Sequence, residues 1–533
     1  MDEKEKILNK LNELSSYSNF LKLVLFLTDK NLNCNFKELE TRDLKVILNE
    51  YEISFLLGLW LKNRNKVLNK NLTIEKHAKI IHQLMDDYHM TFLSFFPKLD
   101  PKKTDYQIDF LNSPEAIKET IYYAGSGAYD YQYFNFYEKK YKLDENWILE
   151  NKGFKLKEAK ELFNYIKTLL NYKLNTEKFR RDISKFYTIS ANNYVFKKNP
   201  NFIKILDSIS IKDDEVLNQN FNEFGDFNTF RIRPVLKNGN NYTIPIPYLL
   251  AETIYDSPFY WMNNDKKYSS IALKNRGDSA EKIVKEILER KINKTSIHTE
   301  LEVKQKKTET LTDIDVCIIE NNKMLIFQVK AKRLTQLSKE GNIKQFHKDF
   351  KLAIQDANNQ ALIPYEYILK NNCFLLSKES GKKIDYGKIE EIYHACIVLD
   401  NYASITAHTR LFFHQENTIP VAMSIFDLEV ILDYINDFDN LFDYLKKRTI
   451  NSKYFFADNE LTYFGMYLKN DLKKFPNSDF VGIDNDFAQK FDKDYYPKLL
   501  NRNEPNFIEL IKNIGRNDFC FCGSGIKFKK CCL

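Results

Sequence analysis

Apolar residues recur at helical spacing along the first part of the chain. Leu8, Leu11 and Leu14 are three residues apart, and the spacing continues in a second group: Ile53, Leu56, Leu57, Trp60 and Leu61. Such spacing places apolar side chains on one face of a helix. We therefore predict a mostly helical N-terminal domain over residues 1–215.

Two short segments with the composition of strands follow. They are Phe230–Val235 and Tyr242–Ile246, and the polar run 237–241 separates them. Runs rich in Val, Ile, Tyr and Phe that are bounded by Gly and Asn are typical of strands. Residues 216–270 are therefore predicted to form a β-rich lead-in.

The pattern over residues 271–420 indicates a helix, a hairpin, a second helix and a strand at His394–Leu399. After this core, apolar residues such as Phe426 and Ile431 return to helical spacing. We interpret residues 421–510 as a helical C-terminal region. The whole pattern predicts an α+β protein of several domains.

A hairpin is predicted around Asn321-Asn322, which two β-prone runs flank. Asn tolerates the positive φ that a two-residue hairpin loop requires. With this loop, Asp315 falls opposite Gln328 and Asp313 falls opposite Lys330, where opposed Cβ atoms are about 4.5–5.5 Å apart. One face of the hairpin then gathers carboxylate, amide and ammonium groups. An ordinary solvated hairpin face is the alternative interpretation.

The helix before the hairpin contributes a further acid. Asp278 or Ser279 is suited to cap its start, and Glu281 shares a face with Val284 and Leu288. A carboxylate on a core-facing stripe is costly unless something such as a metal compensates it. We therefore include Glu281 in the candidate site.

These residues, in this order, resemble the signature of the PD-(D/E)xK nucleases. The resemblance is closest to the Mrr-like and NERD-like branch, in which the last element can read QxK, and it covers residues 271–420. It implies a restriction-endonuclease-like α/β core that hydrolyses phosphodiesters with a divalent cation. The implied catalytic residues are Glu281, Asp315, Gln328 and Lys330.

The resemblance also implies a role for each group. Mg²⁺, or Mn²⁺, would be held by Glu281, Asp315 and Gln328, with the Val329 carbonyl as a further oxygen, since hard cations prefer oxygen ligands. Lys330 would orient or help to deprotonate the attacking water. Gln328 replaces the commoner Glu of these enzymes. Asp313 takes the place of Asp315 if the register differs.

A helix over residues 346–360, which contains Gln355, resembles the helix that follows the lysine in these nucleases. Basic side chains surround this segment and are suited to phosphate contacts, although a solvated helix face is the alternative. They are Lys332, Arg333, Lys339, Lys344, Lys348 and Lys351.

The last residues, 511–533, contain four cysteines in the spacing C-x-C-x8-C-C: Cys520, Cys522, Cys531 and Cys532. Four thiolates form a closed, tetrahedral structural zinc site, and Gly523 and Gly525 permit the tight turn between the pairs. Two disulfides are the less favoured alternative. Because so short a segment buries no core of its own, Zn²⁺ must supply the folding energy.

This tail resembles the SEC-C motif, the zinc knuckle at the end of the SecA translocase motor. Phe519 and Phe521 stand where prolines are usual. The knuckle of that motor contacts a chaperone, so the resemblance implies that a protein partner docks on the tail. We expect the tail to be self-contained, so that its deletion leaves the main body folded.

Composition restricts the function classes only weakly. Hydrophobic residues make up 43% of the 533 residues and charged residues 29%, as in ordinary globular proteins. The formal net charge of +7 permits a nucleic-acid partner without requiring one. The charged N terminus carries no apolar signal core, and no apolar run approaches the ~18–20 residues of a membrane span. We expect a cytoplasmic protein with no membrane partner.

The hypothesis that these features favour is a metal-dependent endonuclease. Its expected substrate is nucleic acid, with DNA favoured over RNA, and its expected biological role is that of a bacterial anti-phage defence effector. The alternative is an inactive nuclease-fold adapter that binds nucleic acid or a protein partner through the zinc tail. A secretion-linked factor is disfavoured because the chain has no P-loop.

Overall fold

The structure is a computed structural model, and it describes residues 2–32, 47–66, 68, 70–93, 113–123, 127–409, 419–473, 481–483, 485–501 and 511–533. The described chain is a mixed α+β protein, as predicted, and it divides into two units. The first unit draws on residues 1–94, 130–272 and 496–533, and the second on residues 95–129 and 273–495. The predicted domain boundaries stay predictions.

The first unit is mostly helical, in agreement with the apolar spacing of its sequence. Leu11, Leu14, Ile53 and Leu56 are all buried. Numbered in chain order, its helices are α1 (Glu3–Ser15), α2 (Phe20–Asn31), α3 (Glu50–Asn63), α4 (Ile74–Leu93), α6 (Asp130–Lys140), α7 (Glu145–Lys152), α8 (Leu156–Leu174), α9 (Glu177–Arg180), α10 (Ile183–Tyr187), α11 (Tyr194–Lys198), α12 (Asn201–Ser208), α13 (Thr229–Ile232) and α14 (Pro247–Asn263).

A four-stranded sheet accompanies these helices, in the order β1-β4-β3-β2. Its strands are β1 (Thr188–Ser190), β2 (Ser210–Lys212), β3 (Val235–Asn238) and β4 (Asn241–Thr243). The strand predicted at Phe230–Val235 is wrong over its first residues, which form α13. The Asn228 side chain caps that helix by accepting the Phe230 N–H, at 3.1 Å. Strand β3 begins only after Pro234.

The second unit places helices around a larger sheet. Its helices are α5 (Pro114–Tyr122), α15 (Ser269–Leu288, from residue 273 onward), α16 (Gln336–Lys339), α17 (Ile343–Phe350), α18 (Asp356–Leu362), α19 (Tyr365–Leu369), α20 (Ile425–Tyr434), α21 (Phe438–Asn451), α22 (Glu460–Leu468) and α23 (Gln489–Asn501, up to residue 495). A π-helical turn, Lys351–Gln355, joins α17 to α18. The helical spacing read after Pro420 is confirmed in α20 and α21.

Seven strands form the sheet of the second unit, in the order β11-β10-β7-β6-β5-β8-β9. They are β5 (Ile297–Lys306), β6 (Glu309–Glu320), β7 (Lys323–Lys330), β8 (Phe374–Ser377), β9 (Lys383–Ile384), β10 (Glu391–Val398) and β11 (Val421–Ser424). Strands β7, β10 and β11 are parallel, and the remaining pairs are antiparallel. A separate parallel pair consists of β12 (Phe455–Phe456) and β13 (Val481–Gly482).

The predicted hairpin is confirmed. Asn321 and Asn322 have φ of 51° and 59°, and the paired positions of β6 and β7 run from Glu320–Lys323 to Val316–Phe327. Helices cover both faces of β7 and β10. On one face Ala361 joins the apolar cluster of Ile326, and on the other Phe442 packs edge-on against Tyr393.

The predicted start of the helix before the hairpin is wrong. Helix α15 runs without a break from Ser269 to Leu288, so Asp278 and Ser279 lie inside it and neither caps its start. Gly277 also lies within the helix, and a Cβ added there would meet no neighbouring side chain within 4 Å. A single helical glycine costs too little to end a helix whose following residues bury an apolar face. Among the described helices, none is both long and apolar enough to cross a bilayer.

Candidate active site and metal centre

The first candidate site lies where the middle of β6 and the carboxyl end of β7 meet helix α18. Beyond the last paired position, the Asp315 carboxylate on β6 accepts the Val329 N–H of β7 at 2.7 Å. The same oxygen, Oδ2, lies 4.0 Å from Lys330 Nζ. The hairpin therefore brings Asp315 and Lys330 together. The pairs predicted from the register, Asp315 with Gln328 and Asp313 with Lys330, lie beyond the last paired position, Val316–Phe327.

Gln328 is fully buried, with 0% of its surface exposed, so a solvated hairpin face is the wrong interpretation for this residue. Its Nε2 donates to the Asp313 carbonyl at 2.8 Å. Its Oε1 is also buried but has no hydrogen-bond partner within the described residues. A buried acceptor without a partner is costly, so Oε1 is available to a ligand that the site would hold.

Glu281 faces this group from helix α15. Burial, with the charge of Asp315 as the next contribution, raises the pKa of Glu281 to about 7, while Lys330 acts in the opposite sense. Burial likewise raises the pKa of Asp315, although the neighbouring Lys330 opposes that shift. Because the charge of Asp315 raises the pKa of Glu281, these two carboxylates are close enough to share a cation.

Two functional groups of this site were not predicted. Gln360 on α18 accepts a hydrogen bond from Lys330 Nζ at 3.0 Å and donates to the Asp313 carbonyl at 3.1 Å. Lys378, after β8, pairs with the Asp313 carboxylate at 2.9 Å. Gln355, the residue singled out in the sequence, lies instead in the π-helical turn. The extra residue of that turn shifts the phase of the helix, which an α-helical count cannot anticipate.

Five of the six predicted basic residues near the site fall into two groups, and the sixth, Lys339, is partly exposed. Lys332 and Arg333 form ion pairs inside the unit, Lys332 with Asp349 at 2.8 Å and Arg333 with Asp400 at 3.6 Å. Three others are exposed: Lys344, Lys348 and Lys351. Only part of the predicted basic set is therefore presented to solvent.

The second candidate site is the cysteine cluster of the tail. The sulfurs of Cys520, Cys522, Cys531 and Cys532 all lie within 4.8 Å of one another. Four sulfurs around one Zn²⁺ at 2.3 Å are about 3.8 Å apart, so the spacing fits a zinc centre. The thiols are free, which disagrees with the disulfide alternative.

The backbone of the tail brings the two cysteine pairs together as predicted. Gly523 and Gly525 have φ of 75° and 71°, in the left-handed region that favours glycine. The Cys520 N–H donates to the Ile526 carbonyl at 2.7 Å, which closes the turn. Hydrogen bonds from the neighbouring thiols lower the pKa of Cys522, so the cluster favours a thiolate there.

Comparison with known proteins identifies only the tail. The SEC-C motif matches residues 516–533, the segment that holds the four cysteines. No curated protein and no solved structure matches the chain. The tail thus carries a SEC-C motif whose four cysteines are close enough to hold a metal ion. The chemistry of the first site is argued from its geometry alone.

Proposed function

We propose that the chain is a metal-dependent nuclease that hydrolyses phosphodiester bonds of nucleic acid. The observation that carries the proposal is the buried Gln328 Oε1, which has no partner among the described residues and belongs to the same site as two carboxylates. The proposal includes a preference for DNA over RNA and a role in bacterial anti-phage defence. Both are suggested only by the sequence resemblance.

The donor set fits a hard divalent cation. Glu281 and Asp315 supply carboxylate oxygens and Gln328 an amide oxygen, which are the ligand types of Mg²⁺ and Mn²⁺. When bound, such a cation supplies positive charge opposite the phosphoryl oxygens and lowers the pKa of a water. Asp313 is less suited than Asp315, because its carboxylate already pairs with Lys378 and the register is the predicted one.

Lys330 is the group that would act on the substrate. Gln360 accepts a hydrogen bond from the Lys330 ammonium, and the nearby Asp315 carboxylate keeps that ammonium directed into the site. An ammonium in this position donates to a phosphoryl oxygen or orients a water for in-line attack. The exposed Lys344, Lys348 and Lys351 would contact backbone phosphates further along the strand.

The tail would hold one structural Zn²⁺ through its four thiolates. A protein partner on this tail stays a prediction. Its exposed residues include Phe519 and Leu533, whose side chains are 39% and 66% exposed.

The deciding experiment compares cleavage of matched DNA and RNA by the wild type, Lys330→Ala and Asp315→Ala. Each variant should lose cleavage at least about a hundredfold, as the loss of one transition-state contact typically does. EDTA should abolish cleavage, and Mg²⁺ or Mn²⁺ should restore it. Lys323→Ala, at the other end of β7 and paired with Asp439, is the matched control.

The outcomes separate the two functions. Equal cleavage by the wild type and both variants would place the active site elsewhere. A wild type that binds nucleic acid but cleaves under no divalent cation would support the inactive adapter instead. Melting temperatures of all four proteins show whether each variant is folded.

A further inference from the structure

The zinc tail is not free in the structure, because its backbone bonds to the edge of the first unit's sheet. Strand β1 is the edge strand of that sheet. The Ser190 N–H of β1 donates to the Gly523 carbonyl at 2.7 Å. A Cβ on Gly523 would lie 2.8 Å from Ile189, so only glycine permits this approach. The tail therefore covers an edge that would otherwise present an unpaired donor.

Phe521 fixes the tail to helix α8 and the start of α11. Its carbonyl accepts the Tyr165 hydroxyl at 2.6 Å and Asn193 Nδ2 at 3.1 Å. Its ring packs edge-on against Tyr172, with centroids 5.3 Å apart, and only 4% of the residue is exposed. Phe521 lies between two zinc-ligand cysteines, so its position depends on the fold of the cluster.

A lysine of the first unit also contacts the cluster itself. Lys178 on α9 donates to the Cys531 carbonyl at 2.8 Å and lies 3.4 Å from Cys531 Sγ. Four thiolates around one Zn²⁺ carry a net charge of −2, which a nearby ammonium offsets. The first unit thus contacts both the glycine turn of the tail and the cysteine cluster that would hold the metal.

We propose that Zn²⁺ binding holds residues 511–533 on the β1 edge, so that zinc occupancy controls whether this edge of the first unit is covered. The proposal rests on zinc in the tail and not on nuclease activity. Without metal the short tail has no core to keep it folded, so the Gly523 and Phe521 contacts are lost together. A ligand that binds only one state stabilises that state by mass action. Zn²⁺ therefore stabilises the folded tail, and with it the state in which the tail covers the β1 edge.

Hydrogen exchange at two adjacent amides of the full-length chain tests the proposal. The Ser190 N–H bonds to the tail, whereas the Ala191 N–H bonds to Asn240 within the first unit, at 2.6 Å. Removing zinc with a chelator should speed exchange at Ser190 by about tenfold, in line with loss of one buried hydrogen bond, and should change Ala191 much less. Adding Zn²⁺ back should restore the protection.

Two tyrosine variants separate docking from general stability. Tyr165→Phe removes the bond to the Phe521 carbonyl, so its zinc affinity, measured against a chromophoric chelator, should fall about threefold to tenfold. Tyr141→Phe removes a hydroxyl bond to the Tyr255 carbonyl in the same unit, 2.8 Å long, and should leave zinc affinity unchanged.

Elemental analysis of the reduced, purified chain accompanies both measurements. Zinc that is bound while Ser190 exchange is the same with and without it would overturn the proposal. Equal zinc affinity in Tyr165→Phe and the wild type would also overturn it. A chain without zinc would overturn the zinc centre itself, and with it the proposal, while leaving the nuclease proposal to its own assay.

Discussion

Gln328 combines two properties that are rarely found together in a buried side chain. Its Nε2 is satisfied by the Asp313 carbonyl, and its Oε1 has no partner in the described chain. The amide can hold its orientation through one end and present an oxygen with the other. A carboxylate at this position would lack the donor, so glutamine here is explained by its contact with a backbone carbonyl.

Gln328→Glu should therefore lower the stability of the metal-free protein and increase the stabilisation that a bound divalent cation produces. The change places a carboxylate oxygen against the Asp313 carbonyl and adds a third acid, which should cost about 1–3 kcal/mol of stability without metal. The added charge should enlarge the rise in melting temperature that Mn²⁺ produces. A thermal-shift titration with MnCl₂ measures both effects.

Gln219→Glu, in an exposed segment of the first unit, controls for the change in net charge. A Gln328→Glu variant that gains no more from Mn²⁺ than the wild type would mean that no cation binds at Oε1.

At the residue level, the sequence predicted the grouping of polar residues correctly where they lie close together in the chain, on one hairpin. Asp315, Gln328 and Lys330 could be placed together because a two-residue loop fixes the register of a hairpin. Gln360 could not, because its position depends on a π-helical turn before α18. Lys378 reaches Asp313 from a strand far along the chain, and that contact has no local signal.

Among the elements, the hairpin and helix α15 show opposite behaviour. Asn321 and Asn322 both adopt positive φ, so local preference and tertiary structure agree. In α15 the Gly277-Asp278-Ser279 sequence favours a helix start, yet the helix continues through it. The buried apolar face that follows, including Val284 and Leu288, outweighs the local signal.

Gly277→Ala should therefore stabilise the protein. The position is helical, and an added Cβ meets nothing within 4 Å. Alanine loses less backbone entropy than glycine in a helix, so the expected gain is about 0.5–1 kcal/mol. Urea unfolding of the wild type and the variant measures it.

Gly239→Ala provides the contrasting control. Its Cβ would also meet nothing within 4 Å, but its φ is +54°, so the substitution should destabilise. A loss of stability in Gly277→Ala would mean that the break in the sequence pattern does mark a weak point in α15.

At the scale of the whole molecule, each unit is assembled from segments far apart in the chain. The first unit includes the tail, and the second receives residues around α5. Changes of composition along a sequence can mark linkers but cannot show that a terminus returns to an earlier domain. For this reason the sequence predicted a self-contained tail, whereas the structure bonds that tail to Ser190 and Tyr165.

Each unit also contains a fully or partly buried carboxyl group whose pKa is raised to about 7. In the first unit it is Glu50, which shares Arg231 with Glu252, and burial is the main cause of the shift. In the second unit it is Glu281, again mainly through burial. Asp427 adds a smaller contribution of the same sign, because burial raises its pKa to about 6.

These groups predict that the metal-free protein loses stability as pH rises. Each folded-state pKa lies above the ordinary value of 4.5 for Glu, so the native state retains a proton that the unfolded chain releases. The stabilisation is complete below the unfolded pKa and is lost as pH rises toward 7. Burial lowers the pKa of His394 to about 4, which acts in the opposite sense below about pH 6.5. Calorimetric melting temperatures should therefore fall by a few degrees between pH 6.5 and pH 8.

Glu281→Gln should remove part of this pH dependence, since an amide cannot titrate, while Glu286→Gln on an exposed turn of the same helix should not. Mg²⁺ should oppose the loss in the wild type, because a cation binds the deprotonated carboxylate and so stabilises the native state more as pH rises. It should have no such effect in Glu281→Gln. A Glu281→Gln protein that keeps the full pH dependence and the full Mg²⁺ response would exclude Glu281 as a ligand. Because Asp315 and Gln328 alone are a donor set too small to hold Mg²⁺ firmly, a full Mg²⁺ response without Glu281 would mean that the cation binds elsewhere.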